Sequence, residues 1–266
     1  MKKGLSSNSL KIIAIAIMIL DHIAGYLYQN FTQDTYYTIR CIGRLAMPLF
    51  AYMIVQGFFY TKNLSKYIFR VFIVATVTQI GIFTLGIINQ EMYPMYWTSV
   101  NNYLNVVYSY TISLILLAII DRKIIIKKWN ENQNLLLRIN LFILVVLAYF
   151  NFRIEFDMQL PFLALELYGI EKLFEKDKKL LLKQESISFG TRILYLVLIL
   201  VALVLSTNFL NYSSGNKYMA LLSVLIIALY NGEKGKKNAF IQTLFYIVFP
   251  LQHIILYWLG MYLMII

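Results

Sequence analysis

Residues 10–28 read LKIIAIAIMILDHIAGYLY. Apart from the lysine at its start and an Asp21-His22 pair two-thirds of the way along, the stretch carries no ionisable group other than tyrosine. A helix of about 20 apolar residues is the length that crosses a ~30 Å hydrocarbon core. The stretch therefore predicts a transmembrane helix with two costly groups set inside it. Nothing in Met1-Lys2-Lys3-Gly4 or beyond supplies a small-residue cleavage site, so it reads as a retained first helix.

Eight further stretches of this kind follow: 42–60, 68–88, 105–121, 135–151, 157–173, 192–209, 217–231 and 239–263. The fifth, sixth and eighth of the nine are short, and the sixth, which carries Glu166, allows a re-entrant path. The composition agrees. Of 266 residues, 60% are hydrophobic and 14% charged, with a mean hydropathy of +0.66. Soluble domains carry ~25% charged residues. Too few charges exist here to coat a soluble core. The expected fold is all-α: one polytopic membrane helix bundle over 1–266, with about nine transmembrane helices.

The net charge of +11 is mostly topology. Twenty of the 24 basic residues fall in alternate loops, from Lys2, Lys3 and Lys11 to Lys234, Lys236 and Lys237. The other set holds only Arg40, Arg44, Arg153 and Lys217. The positive-inside rule then puts the N-terminus in the cytoplasm and, with nine spans, the C-terminus outside. Lysine-rich loops beside anionic lipid need no nucleic acid, and none is expected as a partner.

Simple catalytic motifs are missing from the sequence. Cys41 is the one cysteine, so no internal disulfide forms, and a packing role is expected for it. No Walker-type loop, G-x-S-x-G, H-E-x-x-H or C-x-x-C occurs, which argues against an ATP-driven pump, an elbow-type serine hydrolase and a zincin. No metal site is expected. No internal repeat is seen, which weakens a transporter reading.

Intramembrane ionisable groups mark function by default. Here they are Asp21, His22, Arg44, Glu166 and His253, with Arg40 at a span edge; both histidines of the chain are among them. At ~1.5 Å per residue, His22 lies ~18 Å and His253 ~21 Å from the cytoplasmic side, and Glu166 ~14 Å from the outer side, all close to a midplane at ~15 Å. Asp21 and His22 diverge by ~100° on a helix, so Asp21 is expected to neutralise an arginine of the second span. Arg40 and Arg44 share a face if that helix starts early. Gln242, Tyr246, His253 and Tyr257 form one polar stripe on the last span, and such a stripe faces protein or a wet cavity. Tyr93, Tyr96 and Trp97 read as an interfacial belt.

These residues also resemble a known family. Leu10-Lys11-Ile12-Ile13-Ala14 running into Asp21-His22-Ile23 is similar to the opening of the TraX family. The block Arg40-Cys41-Ile42-Gly43-Arg44-Leu45-Ala46-Met47-Pro48-Leu49-Phe50-Ala51 resembles its I-G-R-L-A-x-P-x-F signature, and Gln56-Gly57-Phe58 with Tyr67 through Gln79 continue the match. Leu229-Tyr230-Asn231-Gly232-Glu233-Lys234-Gly235 resembles its Y-N-G-x-x-G turn. Phe245-Tyr246-Ile247-Val248-Phe249-Pro250-Leu251-Gln252-His253 is similar to its closing F-Y-x-x-Y-P-x-H, with Phe249 where tyrosine is common. The blocks occur in family order at both ends of the chain, and 90–215 is less diagnostic.

The resemblance implies a multi-pass bacterial cytoplasmic-membrane protein in a family tied to acetylation of the pilin N-terminus. It also implies kinship with membrane acyltransferases that use a first-helix histidine and acetyl-CoA. The expected reaction moves an acetyl group from acetyl-CoA, as co-substrate, to an amine or hydroxyl of a peptide, glycan or cell-envelope polymer. His22 is then the base, and Arg44, helped by His253 or Tyr246, holds the oxyanion. Asp21 fixes the arginine. Arg40, Tyr246 and Glu166 are candidates for substrate binding, and Lys62, Lys66 and Arg70 for the CoA phosphates. Two rival classes remain at this level: a small-solute or proton-coupled transporter with the same polar groups as a relay, and a non-catalytic assembly factor of a surface or secretion machine.

Overall fold

The structure is a computed structural model that describes residues 4–88, 104–121, 123–151, 159–174, 189–208, 216–235 and 239–265. Every regular element among them is helical. In chain order these are α1 (Ser7–Tyr26), α2 (Gln33–Gly43), α3 (Ala46–Tyr60), α4 (Leu64–Ile88), α5 (Val106–Ile120), α6 (Glu131–Asn151), α7 (Gln159–Leu173) and α8 (Phe189–Asn208). A 3₁₀ segment (Lys217–Leu222), α9 (Ser223–Ala228) and α10 (Ala239–Ile265) follow, and a 3₁₀ turn (Tyr28–Asn30) lies between α1 and α2. Each of the nine expected stretches coincides with one of these elements or a consecutive pair. Among the described residues, five stretches are long and apolar enough to cross a membrane: α1, α2–α3 taken together, Leu64–Leu85, Phe189–Thr207 and Tyr246–Leu263. The 3₁₀ segment and α9 together rise only ~21 Å, short of the ~30 Å core. The Tyr93–Tyr96–Trp97 belt and Arg153 lie outside the described residues, as does the side chain of Gln242.

The second span departs from its expected form. Instead of one helix from 42, a separate amphipathic α2 precedes α3. Thr32 caps α2, its hydroxyl accepting from the Thr35 N–H at 3.4 Å. The break falls at Arg44 and Leu45, whose N–H groups bond only three residues back, to Cys41 and Ile42. Pro48 then sits in the first turn of α3, where a missing N–H costs nothing.

α3 is the hub. Ala46 through Gln56 and Phe58 are all buried, as expected of a helix that is apolar all round and surrounded by protein. It packs against α1, α5 and α7. α10 packs on α1 and α4, and α4 on α5. The outer helices turn apolar stripes outward: Phe69, Ile73, Val77 and Ile80 on α4, Leu136, Ile139 and Ile143 on α6, and Ile247, Leu251, Ile255 and Trp258 on α10 are all exposed. Spacing of three to four residues puts each set on one face, the face that meets lipid.

The Y-N-G-x-x-G turn has a structural task. Leu5 pairs with it as a short parallel bridge: its N–H donates to the Leu229 carbonyl at 2.7 Å, and Asn231 N–H donates to the Leu5 carbonyl at 2.9 Å. Ser7 N–H donates to the Glu233 carbonyl at 2.8 Å. Gly235 turns with φ +80°, and a Cβ there would meet the Ser6 hydroxyl at 2.8 Å. The turn thus clasps the start of α1.

Candidate functional site

The site forms where α1 meets the α2–α3 break. Asp21 pairs with Arg40 at 2.9 Å and with Arg44 at 3.6 Å. Arg40 also donates to the Asp21 carbonyl oxygen at 3.2 Å, and Arg44 Nε donates to the Arg40 carbonyl at 3.1 Å. The side chains of all three are less than one-fifth exposed. One carboxylate therefore holds two guanidinium groups in a mostly buried setting, where breaking such a cluster is costly. Gly43 makes the approach feasible. A Cβ there would lie 2.0 Å from Asp21 Oδ1.

His22 hangs from the same helix on a different face. Its Nδ1 lies 2.9 Å from the Met18 carbonyl, one turn back. A carbonyl only accepts, so Nδ1 carries a proton. In the neutral ring Nε2 is then an unprotonated lone pair. His253 packs edge-on against His22, ring centroids 4.8 Å apart, and Phe249 contacts both rings. His253 Nδ1 lies 2.8 Å from the Tyr26 hydroxyl. Two i,i+4 ridges face each other here: Met18, His22 and Tyr26 on α1, and Phe249 and His253 on α10. Pro250 supplies no N–H to the Tyr246 carbonyl and interrupts the α10 ladder just before His253.

A cavity of about 100 Å³ opens beside these groups. Asp21, His22, Arg44, Lys217 and Tyr246 line it together with Gly43. The rest of its wall is apolar and includes Met18, Met47, Phe50, Ile54, Val71 and Phe249. From Ala46 to Ile54 it follows α3 for eight residues, or ~12 Å at helical rise. It is a narrow apolar slot with polar groups toward the Arg44 end.

The structure brings together Asp21, His22, Arg40, Arg44, Tyr246 and His253. It does not bring Glu166 to them. Glu166 sits on α7, which packs against α3, α5 and α8, and it does not line the cavity. Its Oε2 is buried with no hydrogen-bond partner among the described residues. Lys62, Lys66 and Arg70 are exposed at the start of α4. None of them lines the cavity, though Val71, next to Arg70, does. Cys41 is buried, and its sulfur accepts from the Asn216 N–H at 3.1 Å. Lys217 and Tyr26 join the site without having been expected there. Among the described residues no group of three or more His, Cys, Asp or Glu side chains could hold a metal ion.

Two polar clusters lie on the other side of α3. Glu171, 2% exposed, accepts from Gln56 Nε2 at 2.6 Å and from the Tyr195 hydroxyl at 2.5 Å, and Tyr195 meets the Tyr52 hydroxyl at 3.0 Å. Just past the end of α5, Asp121 accepts from the Tyr168 hydroxyl at 2.6 Å and pairs with Lys123 and Lys172 at 3.1 and 3.0 Å. Burial pushes its carboxyl up, but hydrogen bonds from Tyr168, Lys172 and Lys123 outweigh this and hold it below the ordinary carboxylate value.

Comparison with known proteins gives a consistent picture. A "Probable fimbrial assembly protein FimC, serogroup H1" from Dichelobacter nodosus is 38% identical over 74 residues, 28% of this chain and 30% of that protein. The match thus spans less than a third of that relative's length. No solved structure matches. The family model described as "TraX protein" matches residues 6–260, which includes every site residue named above. The chain belongs to the TraX protein family.

Proposed function

We propose that the protein is a membrane-embedded acetyltransferase that moves an acetyl group from acetyl-CoA to an amine or hydroxyl of a peptide, glycan or envelope polymer. The observation that carries this reading is the His22 Nδ1 contact to the Met18 carbonyl. It leaves an Nε2 lone pair on a ring that lines a slot shared with Arg44. A base next to a fixed cation is the pairing acyl transfer needs.

The residues divide the work as follows. His22 Nε2 takes the proton of the acceptor's O–H or N–H. The acceptor atom bonds to the thioester carbonyl carbon, and the negative charge that gathers on the carbonyl oxygen faces Arg44. The C–S bond then breaks, the CoA sulfur leaves with the electron pair, and the proton from His22 neutralises it. Asp21 orients Arg44 and Arg40 without touching the reacting atoms. The apolar slot along α3 suits the thioester arm of a donor held on the cytoplasmic side, where Lys62, Lys66 and Arg70 would meet its phosphates. By the charge rule, the Arg44–Lys217 end faces outward, so transfer to an outward-facing acceptor follows.

The test uses purified protein in nanodiscs with radiolabelled acetyl-CoA and separated peptide, glycan and lipid fractions. The expected result is label in one fraction, lost with His22→Ala. Full labelling by that variant would remove His22 as base. A second reading, a non-catalytic assembly factor, draws on the name of the fimbrial relative. It expects a stable surface-assembly complex that survives combined replacement of His22 and His253 by alanine.

A further inference from the structure

His22, half-buried, and His253, buried, are in ring contact and are held by different partners. His22 has its proton on Nδ1 and keeps Nε2 as a lone pair. His253 is 8% exposed, and its Nε2 has no hydrogen-bond partner among the described residues. Its other nitrogen faces the Tyr26 hydroxyl at 2.8 Å. An imidazole nitrogen accepts a proton more readily than a phenol oxygen does. A phenol also donates more readily than a neutral imidazole N–H. The stronger arrangement is therefore O–H of Tyr26 donating to Nδ1 of His253, which forces the ring proton onto Nε2.

We propose that Tyr26 is a positioning residue that fixes His253 in the Nε2–H tautomer, opposite to that of His22, and so keeps a buried hydrogen-bond donor beside the base. Resting on the acetyl-transfer reading, that donor stands one layer behind the slot wall and favours, through its dipole, the charge that develops on the acyl carbonyl oxygen held by Arg44. The geometry suits this division. His253 does not itself line the slot; it stands behind His22 and Phe249, in ring contact with both, and those two border it. Tyr26 and His22 also sit one turn apart on α1, so one helix pair sets both tautomers. Tyr26 itself touches neither acyl donor nor acceptor.

The chain contains only two histidines, which makes the test direct. Protein labelled with ¹⁵N-histidine in lipid vesicles, with its histidines neutral, is examined by solid-state NMR, with His22→Gln and His253→Gln variants to assign the signals. The expected result is a bare Nε2 for His22 and a bare Nδ1 for His253. Tyr26→Phe should redistribute the proton of His253 alone and leave the His22 signals in place. A proton on Nδ1 of His253 in the unaltered protein would overturn the proposal, as would a spectrum indifferent to Tyr26→Phe. In the transfer assay, Tyr26→Phe should lower kcat about tenfold with KM for acetyl-CoA unchanged, less than the ~10²–10³ of removing an oxyanion donor outright. In the His253→Gln background the same change should do nothing, because a glutamine amide carries its own N–H. An undiminished additive loss there would overturn the assignment. Absence of any transfer, with the Tyr26-dependent tautomer intact, would defeat the reaction and uphold the pairing.

Discussion

Gly43 and Asp21 meet so closely that no side chain fits between them: a Cβ on Gly43 would stand 2.0 Å from Asp21 Oδ1 and 2.5 Å from its Cβ. The neighbour is a short carboxylate already gripped by Arg40 and Arg44, so it cannot swing aside without giving up an arginine. Gly43→Ala is therefore expected to cost ~1–3 kcal/mol as overpacking and to lower transfer activity at least tenfold. Thermal unfolding in detergent and the labelling assay read the two effects. A variant with unchanged activity would show that the exact seat of Asp21 does not matter to the chemistry.

Asp21→Asn tests the cluster from its centre. It keeps the volume and removes the charge that two mostly buried guanidinium groups share. Breaking a buried pair by deleting one partner costs ~3–5 kcal/mol. Some of that is expected to relax through hydration from the cavity, so a loss of ~2–4 kcal/mol is the expected outcome by thermal or denaturant unfolding. Raising the salt concentration should not restore it, since screening acts weakly on buried charges. Recovery in high salt would mean that the cluster is far wetter than its exposure indicates.

The Asp21–arginine contact was legible from sequence because a carboxylate inside a membrane needs a cation, and the second span offered two on one face. The tautomer partner of His253 was equally accessible in principle. Tyr26 stands four residues after His22, the spacing that brings side chains onto one ridge. It was hidden among 21 tyrosines, most of which an interfacial role would explain. Glu166 shows the opposite limit. Residue counting gives a group's height across the membrane, and that height was compatible with the histidines. It says nothing about which helices are neighbours, and α7 stands on the far side of α3. Lys217 gave almost no signal, because its element is a short 3₁₀ segment and the Asp21, His22 and Arg44 that share the cavity with it lie more than 170 positions away in the chain. The helix stretches themselves were readable almost throughout, since lipid demands long apolar runs. The α2–α3 break was not, because no proline stands at Arg44-Leu45 and both residues are good helix formers.

The Asp121 cluster gives a pH prediction with a definite sign. Hydrogen bonds from Tyr168, Lys172 and Lys123 hold its carboxyl below the ordinary value of 3.8. A depressed folded-state value means that the stabilisation is present above the unfolded-state value and is lost as pH falls through the folded one. The unaltered protein should therefore lose this contribution only below about pH 4. Asp121→Asn should lack it at every pH, with a neutral-pH deficit of about 1 kcal/mol, given that both lysines are more than one-third exposed. Melting temperatures from pH 3 to 7 for both proteins should converge at the acid end. Parallel curves would contradict the assignment.

Tyr195→Phe separates stability from function. Its hydroxyl donates to Glu171, a carboxylate at 2% exposure that also accepts from Gln56. Removing one donor to a buried charged acceptor is expected to cost ~1–3 kcal/mol. The network faces away from the slot and none of its members lines it, so acetyl transfer per folded molecule should stay within twofold. A large drop in kcat at full folding would place Glu171 in the reaction.

Ile54 tests whether the slot measures the acyl chain. It is buried on α3 at the end of the lining opposite Arg44, and its neighbours across the slot are apolar. Ile54→Ala removes three carbons from that wall and lengthens the space in which a chain can lie. One methylene in an apolar pocket is worth ~1–3 kcal/mol of discrimination, or 10–200-fold. The variant should therefore raise kcat/KM for butyryl-CoA relative to acetyl-CoA by at least tenfold in a competition of the two donors. Ile54→Trp should do the reverse and block both donors while leaving the Asp21 cluster, and the histidine NMR signals, unchanged. An unaltered butyryl-to-acetyl ratio in the alanine variant would mean that the acyl group does not travel along α3, and the donor would then have to reach His22 by another route.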